Sequence, residues 1–290
     1  MSMTDDLTAG GVLGYEVFVS ESIPLALPDR LPNGEGRTWA PISTTLVYGE
    51  RDAVLIDPPL TAAQAEAIGD RIQTGGKRLT HILATHAHGD HWFTADMLAG
   101  RFPGAQVTAL AATIEQMHRV LTTRKNFWDK ILPGQIPASP VTAVPPDGNR
   151  VDLENHELVL VDVGHSDTDD TGVVHIPDLH VVVAGDVLYN GVHQFLVDSG
   201  NGGRDAWRQA ISVVEALTPR QIVAGHKIKE RDDDAARIIA ETRRYLDDVD
   251  ELLPRHPTPE GFFNAMLDRH PGHINASSLW GSAQALYADR

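Results

Sequence analysis

Seven consecutive residues, Thr85-His86-Ala87-His88-Gly89-Asp90-His91, constrain this chain more than any other stretch. They follow the apolar run His81-Ile82-Leu83-Ala84 and precede a segment of helical spacing from Trp92 to Ala99. Residues two apart in an extended loop point the same way, so His86 and His88 share a face. Asp90 and His91 then open the helix and can face a second position close by. Three imidazoles and a carboxylate packed so tightly are costly to bury without a cation to compensate.

The same construction recurs three times. Val161-Asp162-Val163-Gly164 leads to His165, Val182-Val183-Ala184-Gly185 to Asp186, and Ile222-Val223-Ala224-Gly225 to His226. Each is an apolar strand, a glycine that lets the backbone turn, and one metal-competent side chain. Strand carboxyl ends are where α/β folds gather their sites. One Gly-His or Gly-Asp alone is more often a turn. All four elements in chain order supply enough ligands for two metal ions. The other histidines read differently. His118, His156, His175 and His180 suit surface or packing positions, and His256, His270 and His273 suit solvent in a proline-broken tail. His193 lies in a segment that can line the site.

Composition narrows the chemistry. Forty acidic residues against 24 basic ones leave a net charge of −16, which repels phosphate backbones and argues against nucleic acid as a partner. The absence of cysteine removes disulfides, thiolate zinc sites, iron–sulfur clusters and cysteine nucleophiles together. No apolar run approaches the roughly 20 residues of a membrane span, and Met1 to Gly10 lacks the features of a secretory signal. A cytoplasmic protein without membrane attachment is expected. Its 290 residues, 42% of them hydrophobic, are enough for a sizeable core.

Strand and helix patterns alternate through both halves, which predicts a layered α/β architecture. Strands are expected at 15–19, 43–48, 53–56, 81–85, 106–110, 157–163, 172–176, 180–184 and 221–224. Helices are expected from Thr61, as N-cap, to Thr74, from Trp92 to Ala99, from Ala111 to about Leu132, and from about Asp205 to Leu217. From Arg231 onward the chain reads as helix broken by prolines. Its apolar positions, among them Ile238, Tyr245, Leu246 and Val249, recur at helical spacing, so one face must be covered.

The set His86-X-His88-X-Asp90-His91, His165, Asp186 and His226 resembles the metallo-β-lactamase superfamily in residue types and order, over about residues 42 to 226. The resemblance implies an αβ/βα sandwich, with the metals at one edge of two facing mixed sheets and helices outside. Residues 1–230 would form that hydrolase domain, and 231–290 a C-terminal helical extension packed on it. Carried over, His86, His88 and His165 would hold one metal, Asp90, His91 and His226 the other, and Asp186 would bridge them. Two divalent ions are implied, zinc first, with Mn, Fe or Co also suited to such donors. Asp57 matches an aspartate that supports the ligand loop from behind.

Tyr189, three residues after Asp186, resembles the tyrosine of the N-acyl-homoserine lactonases, whose phenol contacts the substrate carbonyl; as a packing aromatic it would have no such role. The implied reaction is hydrolysis of an ester-like bond in a small molecule, a lactone above all, by a metal-bridging hydroxide. Asp90, Asp186 and Tyr189 are the candidate catalytic residues. Thioesters, phosphotriesters and β-lactams are alternative substrates. A mononuclear iron oxidoreductase of the persulfide dioxygenase type, on His86, His88, His165 and Asp186, is an alternative reaction, and a non-catalytic binding protein a third reading. Phe127 and Trp128 suit an apolar pocket wall. Phe262, Phe263, Met266, Leu279, Trp280 and Leu286 suit a pocket cap or a homodimer contact if they do not pack on the sandwich.

Overall fold

The computed structural model describes residues 13–288, so the reading of Met1 to Gly10 lies outside the described residues. Two five-stranded sheets face each other. The first runs in the order β1 (Gly14–Val19), β4 (Ser43–Tyr48), β5 (Asp52–Ile56), β6 (Arg78–Leu83), β7 (Gln106–Thr108), antiparallel across β1, β4 and β5 and parallel onward. The second runs β12 (Gln221–Lys227), β11 (Val181–Asn190), β10 (Thr171–Ile176), β9 (His156–Gly164), β8 (Arg150–Leu153), with only β12 and β11 parallel.

Side-chain alternation builds the layers. Val181 and Val183 point inward to meet Val47, Val54 and Ile56 of the facing sheet. Val182 and Ala184 point outward onto Trp207, Ala210 and Ile211 of α5 (Gly203–Ala216). On the other side Leu46, Ala53 and Leu55 face Ala65 and Ile72 of α1 (Ala62–Thr74) and Leu98 of α2 (Ala95–Arg101). Thr61 caps α1 as expected, its hydroxyl accepting from Gln64 N while the Gln64 side chain accepts from Thr61 N. The architecture is the αβ/βα sandwich the sequence implied.

Several elements differ from expectation. The helix expected to run from Ala111 to Leu132 is broken: α3 (Ala111–Thr123) gives way to a 3-10 turn at Arg124–Asn126 and then to the short α4 (Trp128–Ile131). The break presents Phe127 and Trp128 to the same cavity. A two-stranded ribbon, β2 (Ile23–Pro24) with β3 (Thr38–Trp39), and the strand β8 had no clear signal in the sequence. Asp90 and His91 sit in a 3-10 turn at Gly89–His91, ahead of α2 rather than in it. β11 and β12 do not stop at Gly185 and Gly225. Both continue through Asp186 and His226, with irregular register around Gly185 that re-aims the side chains.

The tail forms α6 (Ala235–Leu252), α7 (Pro259–Arg269) and α8 (Ala276–Ala288). Phe262, Phe263, Met266 and Leu279 are fully buried against α6 and the second sheet, so none of them caps a pocket. A parallel bridge between Val192 and Ile274 ties the tail to the loop after β11. No helix among the described residues is long and apolar enough to cross a membrane.

Candidate metal centre

The centre lies where β6, β11 and β12 end at one edge of the sandwich. Among the described residues, the ligand atoms of His86, His88, Asp167 and Asp186 lie within 4.8 Å of one another, and those of Asp90, His91 and His226 form a second such group. Asp186 adjoins both: its Oδ1 is 3.4 Å from His91 Nε2 and its Oδ2 is 3.2 Å from His226 Nε2. His226 Nε2 is also 3.4 Å from Asp90 Oδ2.

Three imidazoles are held so that Nε2 faces inward. His91 Nδ1 donates to Asp57 Oδ2 at 3.1 Å, and His226 Nδ1 donates to the Pro41 carbonyl oxygen at 2.7 Å. His86 Nδ1 lies 3.0 Å from Thr85 Oγ1, which in turn donates to Asp57 Oδ2 at 2.9 Å. With Nδ1 carrying the proton, each Nε2 offers a lone pair to the centre. Asp57 also accepts from Thr85 N, so this one buried carboxylate orients two imidazoles and the loop that carries them.

The donor set fits a cation. His86 Nε2, His91 Nε2, Asp167 Oδ2 and Asp186 Oδ1 are buried without a hydrogen-bond partner, a costly arrangement unless a positive ion completes it. The local field agrees. Burial alone would raise the carboxyls of Asp90 and Asp186, yet the neighbouring imidazoles His91 and His226 hold both below the usual carboxylate range. Burial would lower His91, yet Asp90, Asp186 and Asp57 push it up to about 9. The carboxylates draw positive charge into the centre.

The sequence-derived ligands are thus largely brought together. His86, His88 and Asp186 meet in one group; Asp90, His91 and His226 form the other. His165 stands outside both groups, with its Nδ1 2.6 Å from Asp169 Oδ1 and its Nε2 buried without a hydrogen-bond partner, and Asp167, unanticipated from the sequence, lies in the first group. Trp39 was also missed. Its indole Nε1 donates to Asp90 Oδ2 at 2.8 Å from 51 positions away, with no local pattern to reveal it. A Ser-Asp two residues after Gly164 was the available signal for Asp167, and it is a common turn pair.

Tyr189 is 3% exposed and donates from its hydroxyl to Asp186 Oδ2 at 2.9 Å. Burial first, and then the Asp186 carboxylate, push its phenol well above the ordinary value, so it keeps its proton. His193 does not line the site. It is fully buried, its Nδ1 3.0 Å from the Tyr245 hydroxyl. His270 and His273, expected in solvent, lie beside it, with ring centroids 4.8 Å apart and His273 5.4 Å from His193.

A cavity of about 440 Å³ opens onto the centre. His88, Asp90, Asp186, Tyr189 and His226 form its floor. Leu25, Leu27, Val120, Ile131 and Phe195 line its walls with an aromatic cluster in which Trp39 and Trp128 lie 4.8 Å apart and Phe127 5.3 Å from Trp128. Asn275, Ser277, Ser278 and Gly281 complete the rim from the start of α8. Thr38 N donating to Ser277 Oγ at 2.8 Å joins that rim to β3.

Comparison with known proteins agrees with this architecture. The chain is 31% identical over 185 residues to "UPF0173 metal-dependent hydrolase PH1671" of Pyrococcus horikoshii, covering 60% of this chain and 76% of that one. It is 43% identical over 67 residues to "Uncharacterized protein YobT" of Bacillus subtilis, a match spanning 23% of this chain and 28% of that protein's length. The crystal structure of the metallo-beta-lactamase family protein TTHA1429 from Thermus thermophilus superposes with a TM-score of 0.61 at 17% identity, over 93% of this chain and 91% of that one, a likeness of fold. The model of the metallo-beta-lactamase superfamily matches residues 37–226, from just before β3 to the histidine that ends the ligand series. The chain belongs to the metallo-β-lactamase superfamily and is a metal-dependent hydrolase.

Proposed function

We propose that this hydrolase uses two divalent ions to cleave an ester-like bond, a lactone above all, whose apolar part fills the aromatic-walled cavity. The observation that carries the reading is the cavity itself: apolar walls end on a floor of His88, Asp90, Asp186, Tyr189 and His226. His86, His88 and His165 would hold one ion, Asp90, His91 and His226 the other, with Asp186 between them. Bound there, divalent ions would polarise a carbonyl oxygen and lower the pKa of a shared water toward neutrality. Zinc suits these nitrogen and oxygen donors, as do Mn, Fe and Co. The second ligand group weighs against a one-iron oxidoreductase.

The chain's own residues divide the remaining work. Asp90 is steadied by the Trp39 indole and Asp186 by the Tyr189 phenol. Because that phenol stays protonated, it can donate to Asp186 in the free protein and to a substrate carbonyl oxygen in turnover. Asp186, held ionised, would relay a proton to the departing alkoxide. The apolar walls exclude water from the bound chain and favour substrates with an acyl or aryl tail.

A panel of lactones with short and long acyl tails, run beside thioesters, phosphotriesters and β-lactams, tests the reading. Long-tailed lactones should turn over fastest, and Asp186→Ala should abolish the rate. Tyr189→Phe should lower kcat by roughly 10-fold or more, the loss of one oxyanion donor. Turnover confined to another substrate class would replace the lactone assignment. An unchanged Tyr189→Phe rate would leave the phenol a packing residue.

A further inference from the structure

We propose that the rim of the cavity is a subsite for a carboxylate at the far end of the substrate's tail, with Arg37 as its cation. The inference rests on the reading that this cavity takes the tail of an ester-like substrate. Among the described residues Arg37 is the only lysine or arginine lining the cavity, in a chain of net charge −16. Its side chain is 16% exposed. Nη1 donates to Asp29 Oδ2 at 2.8 Å. The other edge of the guanidinium is unsatisfied. Nε is buried without a partner, and Nη2 reaches only the Ser277 carbonyl oxygen at 3.5 Å, beyond the ordinary range of a hydrogen bond. An Nε–Nη2 edge is a fork that a carboxylate engages through two parallel bonds.

Two neutral donors share the rim. The Asn275 amide and the Ser278 hydroxyl line the cavity with no partner among the described residues, whereas the Ser277 hydroxyl already accepts from Thr38 N. They flank the start of α8, the end of a helix that carries partial positive charge. Two carboxylates oppose this field from the solvent side. Asp29 is 45% exposed, and Asp198, lining the cavity from the loop after β11, is exposed as well. Water screens both, so they take little from the guanidinium's pull on an anion. Position decides which part of a substrate arrives here. Leu25 N donates to the Arg37 carbonyl oxygen at 2.9 Å, so the ribbon of β2 and β3 extends to Arg37. In extended backbone Arg37 and Trp39 point to the same side, about 7 Å apart along the strand. Trp39 reaches the floor at Asp90, while Arg37 stands at the α8 rim. A group near the reacting carbonyl meets Trp39, and the end of a tail meets Arg37. The substrate selected is an ester or lactone whose tail ends in a carboxylate.

The test is calorimetric binding of product-like acids to the Zn²⁺-loaded, full-length protein, which does not depend on turnover. Octanoate, octanedioate and the monoamide of octanedioate share a tail and differ at its end; shorter and longer homologues of each allow for length. The dicarboxylate of best length should bind at least about 10-fold more tightly than the matching monocarboxylate, the order expected of a charge-assisted pair and beyond the roughly twofold that two equivalent ends supply. Arg37→Met should erase that difference, and Arg37→Lys should keep part of it. A monoamide bound as tightly as the dicarboxylate overturns the assignment of an anion. Equal affinity for monocarboxylates and dicarboxylates at every length overturns the subsite. So does an Arg37→Met protein that loses affinity for both classes alike, which would make Arg37 a tie between β3 and α8. If Arg37→Met does not hold its fold in a thermal melt, the wild-type ranking of the three ends and the Arg37→Lys protein carry the decision. Lactones with methyl- and carboxylate-ended tails then separate the subsite from the reaction. Preference for the dicarboxylate with no lactone turned over would uphold the subsite and remove the lactone assignment, and lactone turnover without that preference would do the reverse.

Discussion

Replacing Gly225 by alanine would put a methyl carbon 2.2 Å from Asp186 Oδ1 and 2.9 Å from both His91 Cε1 and the carbonyl carbon of Gly185. Ordinary carbon contacts are about 3.5 Å or more. The Gly185 backbone lies inside β11 and cannot retreat, so the Asp186 carboxylate must move by about 1 Å. Overpacking of this kind costs roughly 1–3 kcal/mol of stability, a fall in Tm of about 2–10 °C. The larger effect is on chemistry, because a misplacement of about 1 Å at a reacting centre costs on the order of 100-fold in rate, equivalent to about 2.7 kcal/mol of barrier. The assay is kcat and KM on the best lactone, with metal content and a thermal melt. Gly100→Ala in α2 is the control: its Cβ meets nothing within 4 Å, so it should gain up to about 1 kcal/mol in helix propensity and keep its rate. A Gly225→Ala protein with kcat within about threefold of wild type and unchanged metal content would refute the claim that this glycine makes room for the carboxylate.

Asp57→Asn should weaken metal binding by about 10- to 100-fold, since the His91 imidazole and the Thr85 hydroxyl lose the carboxylate that orients them; equal affinity in a chelator competition would remove Asp57 from that role. Burial, with smaller effects from His270 and other neighbouring cations, lowers His193 to about 3 and His273 to about 4, against about 6.5 in the unfolded chain. Above that unfolded value both are neutral in either state, and their contribution is complete. As pH falls toward 4 the unfolded chain takes up protons that the folded one refuses, and stability is lost. Tm should therefore decline from pH 6.5 to 4.5, less steeply in His273→Gln, and parallel curves for the two proteins would contradict the assignment. The groups around this pair are Tyr245, Asp248, His270 and Arg231, so Asp248→Asn should change the slope least if the histidines dominate.

The contiguous part of the centre was legible because its geometry is local. His86, His88, Asp90 and His91 occupy one loop and one turn, and their spacing alone dictates how they face. Asp186 and His226 were legible through the glycines before them, although the reason differs from the one expected. Neither glycine ends its strand: Gly185, at a φ of +48°, re-aims β11, and Gly225 leaves space for a carboxylate from the neighbouring strand. At residues 164–171 pattern reading ran out. Ser-Asp is an ordinary turn pair, and the hydrogen bond from Ser166 N to the Thr168 carbonyl oxygen, which no spacing reveals, sets where Asp167 sits. Trp39 on Asp90 and His193 among His270, His273 and Tyr245 depend on contacts between residues 51 to 80 positions apart, which no window along the chain samples. The break before Phe127 was hidden for a related reason, since the helical spacing of its apolar residues continues across it.

The rim built by Asn275, Ser277, Ser278 and Gly281, and the wall built by Leu25 and Leu27, lie on either side of the segment 37–226 shared with the superfamily. The rim and these two leucines therefore lie outside the stretch that carries the reactive groups, whereas the aromatic wall of Trp39, Phe127 and Trp128 lies within it. Exchanging α8 between relatives should retune which tails are accepted while leaving the ions in place, so that new substrate preferences can arise at the two flanks without disturbing the catalytic apparatus.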